Sequence, residues 1–103
     1  MAITEVTIQN VWEKGKVVPG YNSDYIRKDQ CGAWIIHDMY GNRNSSYGWE
    51  IDHIVPVSTW GTDYLSNLRP LQWENNDYRY DKQLIVVITS EEVVNIKKWL
   101  LTM

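Results

Sequence analysis

The chain has 103 residues and a formal net charge of −3, a length that fits one small domain with a modest core. Six Trp, seven Tyr and a hydrophobic fraction of 44% exclude a disordered composition. The acidic balance argues against a dedicated, sequence-independent nucleic-acid-binding module, which is usually basic. It does not exclude a nuclease whose metal ion screens the phosphate.

Two further absences in the sequence narrow the class of protein. No stretch approaches the roughly 20 apolar residues that span a bilayer, and the N-terminus has no basic region followed by an apolar run. We therefore expect a cytoplasmic protein with no membrane partner. Cys31 is the only cysteine, which excludes an intrachain disulfide and a cysteine zinc knuckle and predicts a buried, reduced thiol.

The N-terminal segment is compatible with two structures. Residues 4–14 predict a short helix that Thr4 caps and that Val11 and Trp12 anchor, but their β-branched content leaves a strand open. Residues 15–23 carry two Gly and one Pro and predict a connecting loop.

The next segment alternates between polar turns and an apolar run. Arg27 and Lys28 indicate either a solvated basic turn or a contact to a substrate phosphate. Residues 31–40 are apolar and favour a strand, although their length also permits a helix. Residues 41–48 predict a loop whose Arg43 is free to reach a ligand.

A strand pair followed by a helix is predicted in the middle of the chain. Residues 49–55 alternate in part between apolar and polar types and predict a half-buried strand that Pro56 ends. Residues 68–73 predict a second strand, which Pro70 restricts to an edge. Residues 74–77 are capping and first-turn types, so a helix is expected to begin there.

The C-terminal segment predicts one more strand and a final helix. Residues 84–88, LIVVI, are typical of a buried strand. Residues 90–101 carry acids in their first turn and Lys97 and Lys98 near their end, which favours a helix. The fold class predicted is therefore α+β: one domain over residues 1–103, with a central hairpin and helix, flanking helices and a strand.

The central segment, residues 49–82, carries the side chains that phosphodiester hydrolysis requires. His53 is a competent general base, and because only neutral imidazole accepts a proton, activity should rise with pH. Asp52 and Asn76 offer the hard oxygen ligands that Mg²⁺ prefers. Asp52 and His53 are adjacent on a strand and point to opposite faces, so metal and base would approach a phosphate from different sides.

Other polar residues of this segment have supporting roles. Asn67 follows the loop and can bond its backbone, which would fix the strand that carries His53. Three basic side chains are candidates for binding the substrate phosphate: Arg69, Arg79 and Lys82.

The order of these residues resembles a known family. The DH of GWEIDHIVP, the N of SNLRPL and the NN of QWENN are similar to the motif of HNH (ββα-metal) endonucleases. The resemblance covers about residues 11–82 and implies a β-hairpin crossed by a helix, with a divalent metal, most simply Mg²⁺ with Mn²⁺ or a transition metal as alternatives, between them. It implies that the metal bridges the scissile phosphate, most simply of DNA, and stabilises the leaving 3′-oxygen.

The resemblance also implies a role for each matched residue. His53 matches the general base, Asp52 and Asn76 match metal ligands, and Asn67 matches the middle Asn that braces the loop; Asn75 is the less suitable neighbour of Asn76.

Three features depart from the family pattern. Trp60-Gly61 stands where many relatives have Gly-Gly, Arg79-Tyr80-Asp81 stands where many have a Lys, a small residue and Asp, and the paired CxxC knuckles are missing. Two alternatives to the endonuclease therefore remain. One is a catalytically weak ββα module that binds nucleic acid or a protein partner, and the other is a toxin-type nuclease neutralised by an immunity protein. The oligomeric state is open.

Overall fold

The computed structural model describes residues 3–79 and 83–98, which fold as a mixed α+β protein. The α+β class predicted from the sequence is thus confirmed. The strands of the described residues pair as three separate antiparallel hairpins. In chain order the elements are α1 (Glu5–Trp12), β1 (Ile26–Lys28), β2 (Trp34–Ile36), β3 (Trp49–His53), β4 (Leu68–Gln72), α2 (Trp73–Arg79), β5 (Ile88–Glu91) and β6 (Val94–Lys97).

Residues 4–14, for which the sequence permits a helix or a strand, contain helix α1 at Glu5–Trp12. Thr4 caps it, because its side-chain oxygen accepts a hydrogen bond from the backbone N–H of Thr7 at 3.1 Å. Val11 and Trp12, in its last turn, are fully buried. The cap and this buried end stabilise the helix in spite of its β-branched residues.

The hairpin of β1 and β2 replaces the longer strand predicted over residues 31–40. Only β2 is extended, and a 3₁₀ turn follows it at His37–Met39. Arg27 and Lys28 lie in β1 rather than in a solvated turn. The Arg27 side chain donates to the backbone carbonyl of Ser23 at 2.8 Å, so its guanidinium group has a structural role.

A buried carboxylate closes the turn between β1 and β2. Asp29 is 2% exposed, and its Oδ1 accepts hydrogen bonds from the backbone N–H groups of Cys31 and Ala33, both at 2.9 Å. Its Oδ2 accepts from the backbone N–H of Gln72 at 2.9 Å and from Nδ2 of Asn75 at 3.1 Å. Burial raises the pKa of Asp29, and these four hydrogen bonds oppose the rise.

The central hairpin, β3 and β4, forms where the sequence predicts it. Asp52 pairs with Arg69 and His53 with Leu68 across the two strands. Pro70 is tolerated because β4 has a hydrogen-bonded neighbour on one side only. This register brings the end of β3, which carries the predicted catalytic pair, beside the start of β4.

Helix α2 follows β4 without a loop. It begins at Trp73, one residue before the predicted capping run. Its first turn is capped by Gln72, whose Oε1 accepts hydrogen bonds from the backbone N–H groups of Glu74 at 2.8 Å and Asn75 at 3.2 Å. The hairpin and the helix are therefore joined rigidly, and α2 contacts both β3 and β4.

The prediction for the C-terminal segment is wrong. Ile88 is the only residue of the predicted strand 84–88 that lies in a strand, and residues 88–97 form the hairpin β5–β6 instead of starting a helix at residue 90. Residues 99–101 of the predicted helix lie outside the described residues. Tertiary contacts override the helix signals here. The side chain of Asn95 pairs with the backbone of Trp34, accepting from its N–H at 2.6 Å and donating to its carbonyl at 2.8 Å.

The core lies between α1 and the first two hairpins. Trp12 and Trp49 are fully buried, with ring centres 5.4 Å apart, and the Nε1–H of Trp12 donates to the carbonyl of Ser23 at 3.0 Å. Cys31 is buried and reduced, as predicted. No helix in the described part of the chain has the length and apolar character that crossing a membrane requires. The core members are Val11, Trp12, Ile35, Trp49 and Leu68.

Candidate functional site

A cavity of about 420 Å³ lies between the end of β3, the loop that follows it and helix α2. Four of the seven residues that the sequence singles out line it: Asp52, His53, Asn76 and Arg79. Asp52 and His53 both reach this cavity although they are neighbours on a strand, and Asp52 is buried whereas His53 is partly exposed. This cavity is the candidate site.

His53 is held by a carboxylate that the sequence pattern does not single out. Its Nε2 lies 2.8 Å from Oδ1 of Asp63, and the His53 side chain is 21% exposed. A carboxylate accepts hydrogen bonds, so Nε2 carries a proton and Nδ1 of the neutral ring is the basic nitrogen. The sequence shows that Asp63 lies 10 residues after His53, but no sequence signal indicates that the loop between them brings the two side chains into contact.

Asn67 ties the two ends of that loop together. Its Oδ1 accepts from the backbone N–H of Val55 at 2.8 Å, and its Nδ2 donates to the carbonyls of Val55 at 3.0 Å and Thr62 at 2.8 Å. The backbone N–H of Ile54, directly after His53, also donates to the carbonyl of Asn67 at 2.8 Å. Asn67 therefore supports the loop and the end of β3 without lining the cavity itself.

The loop keeps a glycine-like backbone where the sequence has tryptophan. Trp60 has a φ of 69°, in the left-handed region that bulky residues rarely adopt, and it is 94% exposed. At Gly61 a side chain would collide with the backbone carbonyls of Val55 and Pro56. Trp60 thus presents an exposed indole ring at a position whose backbone conformation would suit glycine.

Asp52 lies between two guanidinium groups. Nε of Arg69 donates to its Oδ2 at 2.7 Å, and Nη1 of Arg79 donates to its Oδ1 at 3.0 Å. The Asp52 side chain is 4% exposed, and that of Arg79 is 6% exposed. From the sequence, Arg69 and Arg79 are expected to bind a substrate phosphate, and their pairing with Asp52 is not foreseen. Arg79 lines the cavity, Arg69 does not, and Lys82 lies outside the described residues.

The two asparagines of α2 face different surroundings. Asn75 is fully buried and bonds Asp29 and the backbone of β5. Asn76 lines the cavity, and its Nδ2 donates to Oε1 of Glu50 at 2.9 Å. Asn76 therefore faces the candidate site, whereas Asn75 belongs to the interior.

Glu50 and Arg43 form an ion pair at the cavity wall. Nε and Nη2 of Arg43 donate to Oε2 and Oε1 of Glu50 at 2.7 Å and 2.9 Å. Burial raises the pKa of Glu50, but the hydrogen bonds from Arg43 and Asn76 outweigh it and hold that pKa below its usual value. Arg43 is thus engaged by the protein, which corrects the prediction that it is free to reach a ligand.

The cavity holds two side-chain oxygen groups of the type that a hard divalent cation prefers. Asp52 offers a carboxylate and Asn76 an amide oxygen, and Mg²⁺ is commonly held by one or two protein oxygens while water and phosphate complete its shell. Each carboxylate oxygen has two lone pairs, so Asp52 retains acceptor capacity beyond its two guanidinium partners. Within residues 3–79 and 83–98, no three His, Cys, Asp or Glu side chains are grouped closely enough to hold a metal ion.

The chain was compared with known proteins at three levels. No family model, no curated protein and no solved structure matches it. A function is therefore inferred from the residues of the cavity and their chemistry.

Proposed function

We propose that this protein is a divalent-metal-dependent endonuclease of the HNH type, which hydrolyses phosphodiester bonds, most simply in DNA. One observation carries the proposal: Asp52, His53 and Asn76 line a single cavity at a hairpin–helix junction. A base and two hard oxygen ligands around one space are the groups that metal-assisted hydrolysis needs.

In the proposed reaction His53 activates the attacking water. Its Nδ1 accepts the proton, because Nε2 is committed to Asp63. The imidazolium that forms is stabilised by the Asp63 carboxylate, and Asn67 keeps the strand end and the loop in one arrangement. Asp52 and Asn76 would hold the cation, which when bound supplies charge stabilisation to the leaving oxygen.

The charged side chains that line the cavity balance one another. The chain has a net charge of −3, and the cavity wall carries Arg43 and Arg79 together with Asp52 and Asp77. A bound cation would therefore supply the attraction for a substrate phosphate. The proposal includes a cytoplasmic location, where a single cysteine such as Cys31 stays reduced.

Nicking of supercoiled plasmid tests the proposal. Wild type should convert supercoiled to open-circular DNA with Mg²⁺ or Mn²⁺ and not with EDTA, and His53→Ala should be about 10² to 10⁴ times slower. His37→Ala is the matched control, since His37 bonds Gln9 and Asp38 and does not line the cavity. Equal cutting by wild type and His53→Ala would reject the assignment of the base and point to a contaminant.

A second candidate function is favoured by the pairing of Asp52. Its carboxylate accepts from Arg69 and Arg79, and this suits a catalytically weak ββα module that binds nucleic acid without cutting it. Fluorescence anisotropy with a labelled duplex separates the two functions. Metal-independent binding with no nicking by wild type would favour the binding module over the nuclease.

A further inference from the structure

The orientation of the Asn76 side chain is determined by the group it contacts. Oε1 of Glu50 lies 2.9 Å from Nδ2 of Asn76. An ionised carboxylate accepts hydrogen bonds and cannot donate them. The amide must therefore turn its NH₂ group to Glu50, and its oxygen takes the other side. Within the described residues, Oδ1 of Asn76 accepts no hydrogen bond.

Glu50 is itself fixed in place. Arg43 binds both of its oxygens, and the Glu50 side chain is 19% exposed. Arg43 is held in turn by Oδ1 of Asp77 at 3.1 Å, and its guanidinium lies 5.6 Å from the ring centre of Trp73. Two residues of α2 thus secure Arg43, which in turn holds the Glu50 carboxylate that contacts a third residue of the helix, Asn76.

The position of Glu50 along β3 places this network beside the proposed metal ligands. Glu50 is two residues before Asp52, so both side chains leave the strand on the same face, toward α2. In metal sites, residues that orient the ligands commonly change metal affinity by about 10- to 100-fold when they are replaced.

We infer that Glu50, held by Arg43, is a positioning residue that presents the amide oxygen of Asn76, and not its NH₂ group, to the metal ion. The inference rests on the proposed metal-dependent function. It assigns Glu50 no contact with substrate. Its role is to exclude the amide orientation that would aim a hydrogen-bond donor at a cation.

A double-mutant cycle on Mn²⁺ affinity tests this role apart from activity. Free Mn²⁺ is measured by electron paramagnetic resonance in wild type, Glu50→Gln, Asn76→Asp and the double variant. Glu50→Gln should weaken Mn²⁺ binding about tenfold in the wild-type background. In the Asn76→Asp background it should cost no affinity, because both ends of a carboxylate are oxygens and orientation no longer matters.

Two controls exclude a general loss of structure or charge. Glu13→Gln removes an exposed carboxylate of α1's C-terminal end and should leave Mn²⁺ affinity unchanged. Arg43→Gln loosens Glu50 without removing its contact to Asn76 and should give a smaller loss than Glu50→Gln. Urea unfolding of each variant confirms that it is folded.

A metal-free measurement follows the amide directly. In ¹⁵N–¹H spectra one Nδ2 proton of Asn76 should show the downfield shift of a charge-assisted hydrogen bond, and Glu50→Gln should abolish it. An equal loss of Mn²⁺ affinity in both backgrounds would overturn the inference, as would no loss in either. Nicking and Mn²⁺ binding that survive Glu50→Gln would reject the inference alone, whereas no Mn²⁺ binding by wild type would reject the proposed metal function with it.

Discussion

Asn75 and Asn76 are consecutive residues of α2, yet one is sealed in the interior and the other lines the cavity. Asn75 satisfies the backbone N–H groups of Val87 and Ile88 with its oxygen, and its nitrogen bonds Asp29 and the Ile88 carbonyl. Adjacent side chains of this seven-residue helix thus have different roles: Asn75 stabilises the interior, and Asn76 lines the candidate site.

The different surroundings of Asn75 and Asn76 predict that Asn75→Ala lowers mainly the stability and Asn76→Ala mainly the nicking rate. Asn75→Ala should lower the free energy of unfolding by about 3 kcal/mol, since each buried polar group left without a partner costs about 1 to 3 kcal/mol. Asn76→Ala should cost about 1 kcal/mol, because it removes one partly exposed hydrogen bond. Urea unfolding measures both losses of stability. The nicking rate should fall more in Asn76→Ala than in Asn75→Ala. Equal destabilisation would contradict the separation.

The His53–Asp63 contact predicts a graded loss of nicking rate. Asp63→Asn keeps a hydrogen-bond acceptor for Nε2 but loses the negative charge that would stabilise the imidazolium of the proposed reaction, so the rate should fall. Asp63→Ala loses both and should fall further, though less than His53→Ala. Single-turnover rates on supercoiled plasmid give the ranking. Asp63 variants that cut as fast as wild type would show that the carboxylate is not needed.

The pairing of Asp52 predicts a large effect on stability. Asp52→Ala leaves the guanidinium groups of Arg69 and Arg79 without their shared counter-charge, and removing one member of a buried ion pair costs about 3 to 5 kcal/mol. Asp63→Ala is the control for stability, since its side chain is 51% exposed and its loss should cost little. Chemical denaturation in low salt compares them. Similar unfolding midpoints would mean that the pair is not formed in solution.

Cys31 should be unreactive in the folded protein. Burial, reinforced by the nearby charge of Asp29, raises the pKa of the Cys31 thiol to about 12. The thiolate fraction at pH 8 is then about 10⁻⁴, against about a quarter for a free thiol of pKa ~8.5. Reaction with an aromatic disulfide reagent at pH 8 should be at least about 100-fold slower than in urea.

The same pKa sets a pH dependence of stability. A thiol whose pKa is higher in the folded than in the unfolded protein contributes its full stabilisation when the pH is below the unfolded pKa. That contribution is lost as pH rises from about 8.5 toward 12. Cys31→Ala should flatten this alkaline decline. A native thiol that reacts as fast as the unfolded one would contradict its burial.

The backbone conformation of the loop after β3 predicts that substitutions at Trp60 and at Gly61 change the stability in opposite directions. Trp60→Gly should stabilise the protein by up to about 1 kcal/mol, because a left-handed conformation costs a bulky residue about 1 to 2 kcal/mol and glycine almost nothing. Gly61→Ala should destabilise it, because a methyl group would meet the Val55 carbonyl. Thermal unfolding gives both signs. A stabilising Gly61→Ala would show that the loop has another course.

The sequence predicts the middle of the chain well because local signals agree there with the tertiary structure. Alternation in residues 49–53, the strand at 68–72 and the polar start of α2 all form as expected. The C-terminal helix prediction failed because its capping signals compete with a contact that no local pattern reveals, the pairing of Asn95 with the backbone of Trp34.

The contacts inside the candidate site could not be predicted from the sequence, because they depend on the tertiary structure. The residues His53, Asn67 and Asn76 could be chosen from type and spacing alone. The partners Asp63 and Glu50 could not, since a loop of unknown course and the register of a strand against a helix decide what they reach. For the same reason the sequence suggests a phosphate as the partner of Arg69 and Arg79, whereas the structure places Asp52 between them.

The buried link between Asp29 and Asn75 limits how far the chain can be shortened. Asp29 fastens the start of α2 to the turn of the first hairpin, and Asn75 fastens the same helix to β5. A peptide of residues 49–82, which holds every side chain proposed for catalysis, would lack both of these anchors. The smallest unit able to hold the site must thus reach at least from Asp29 to Ile88, and a segment excised to its motif would lack the scaffold that aligns the candidate residues.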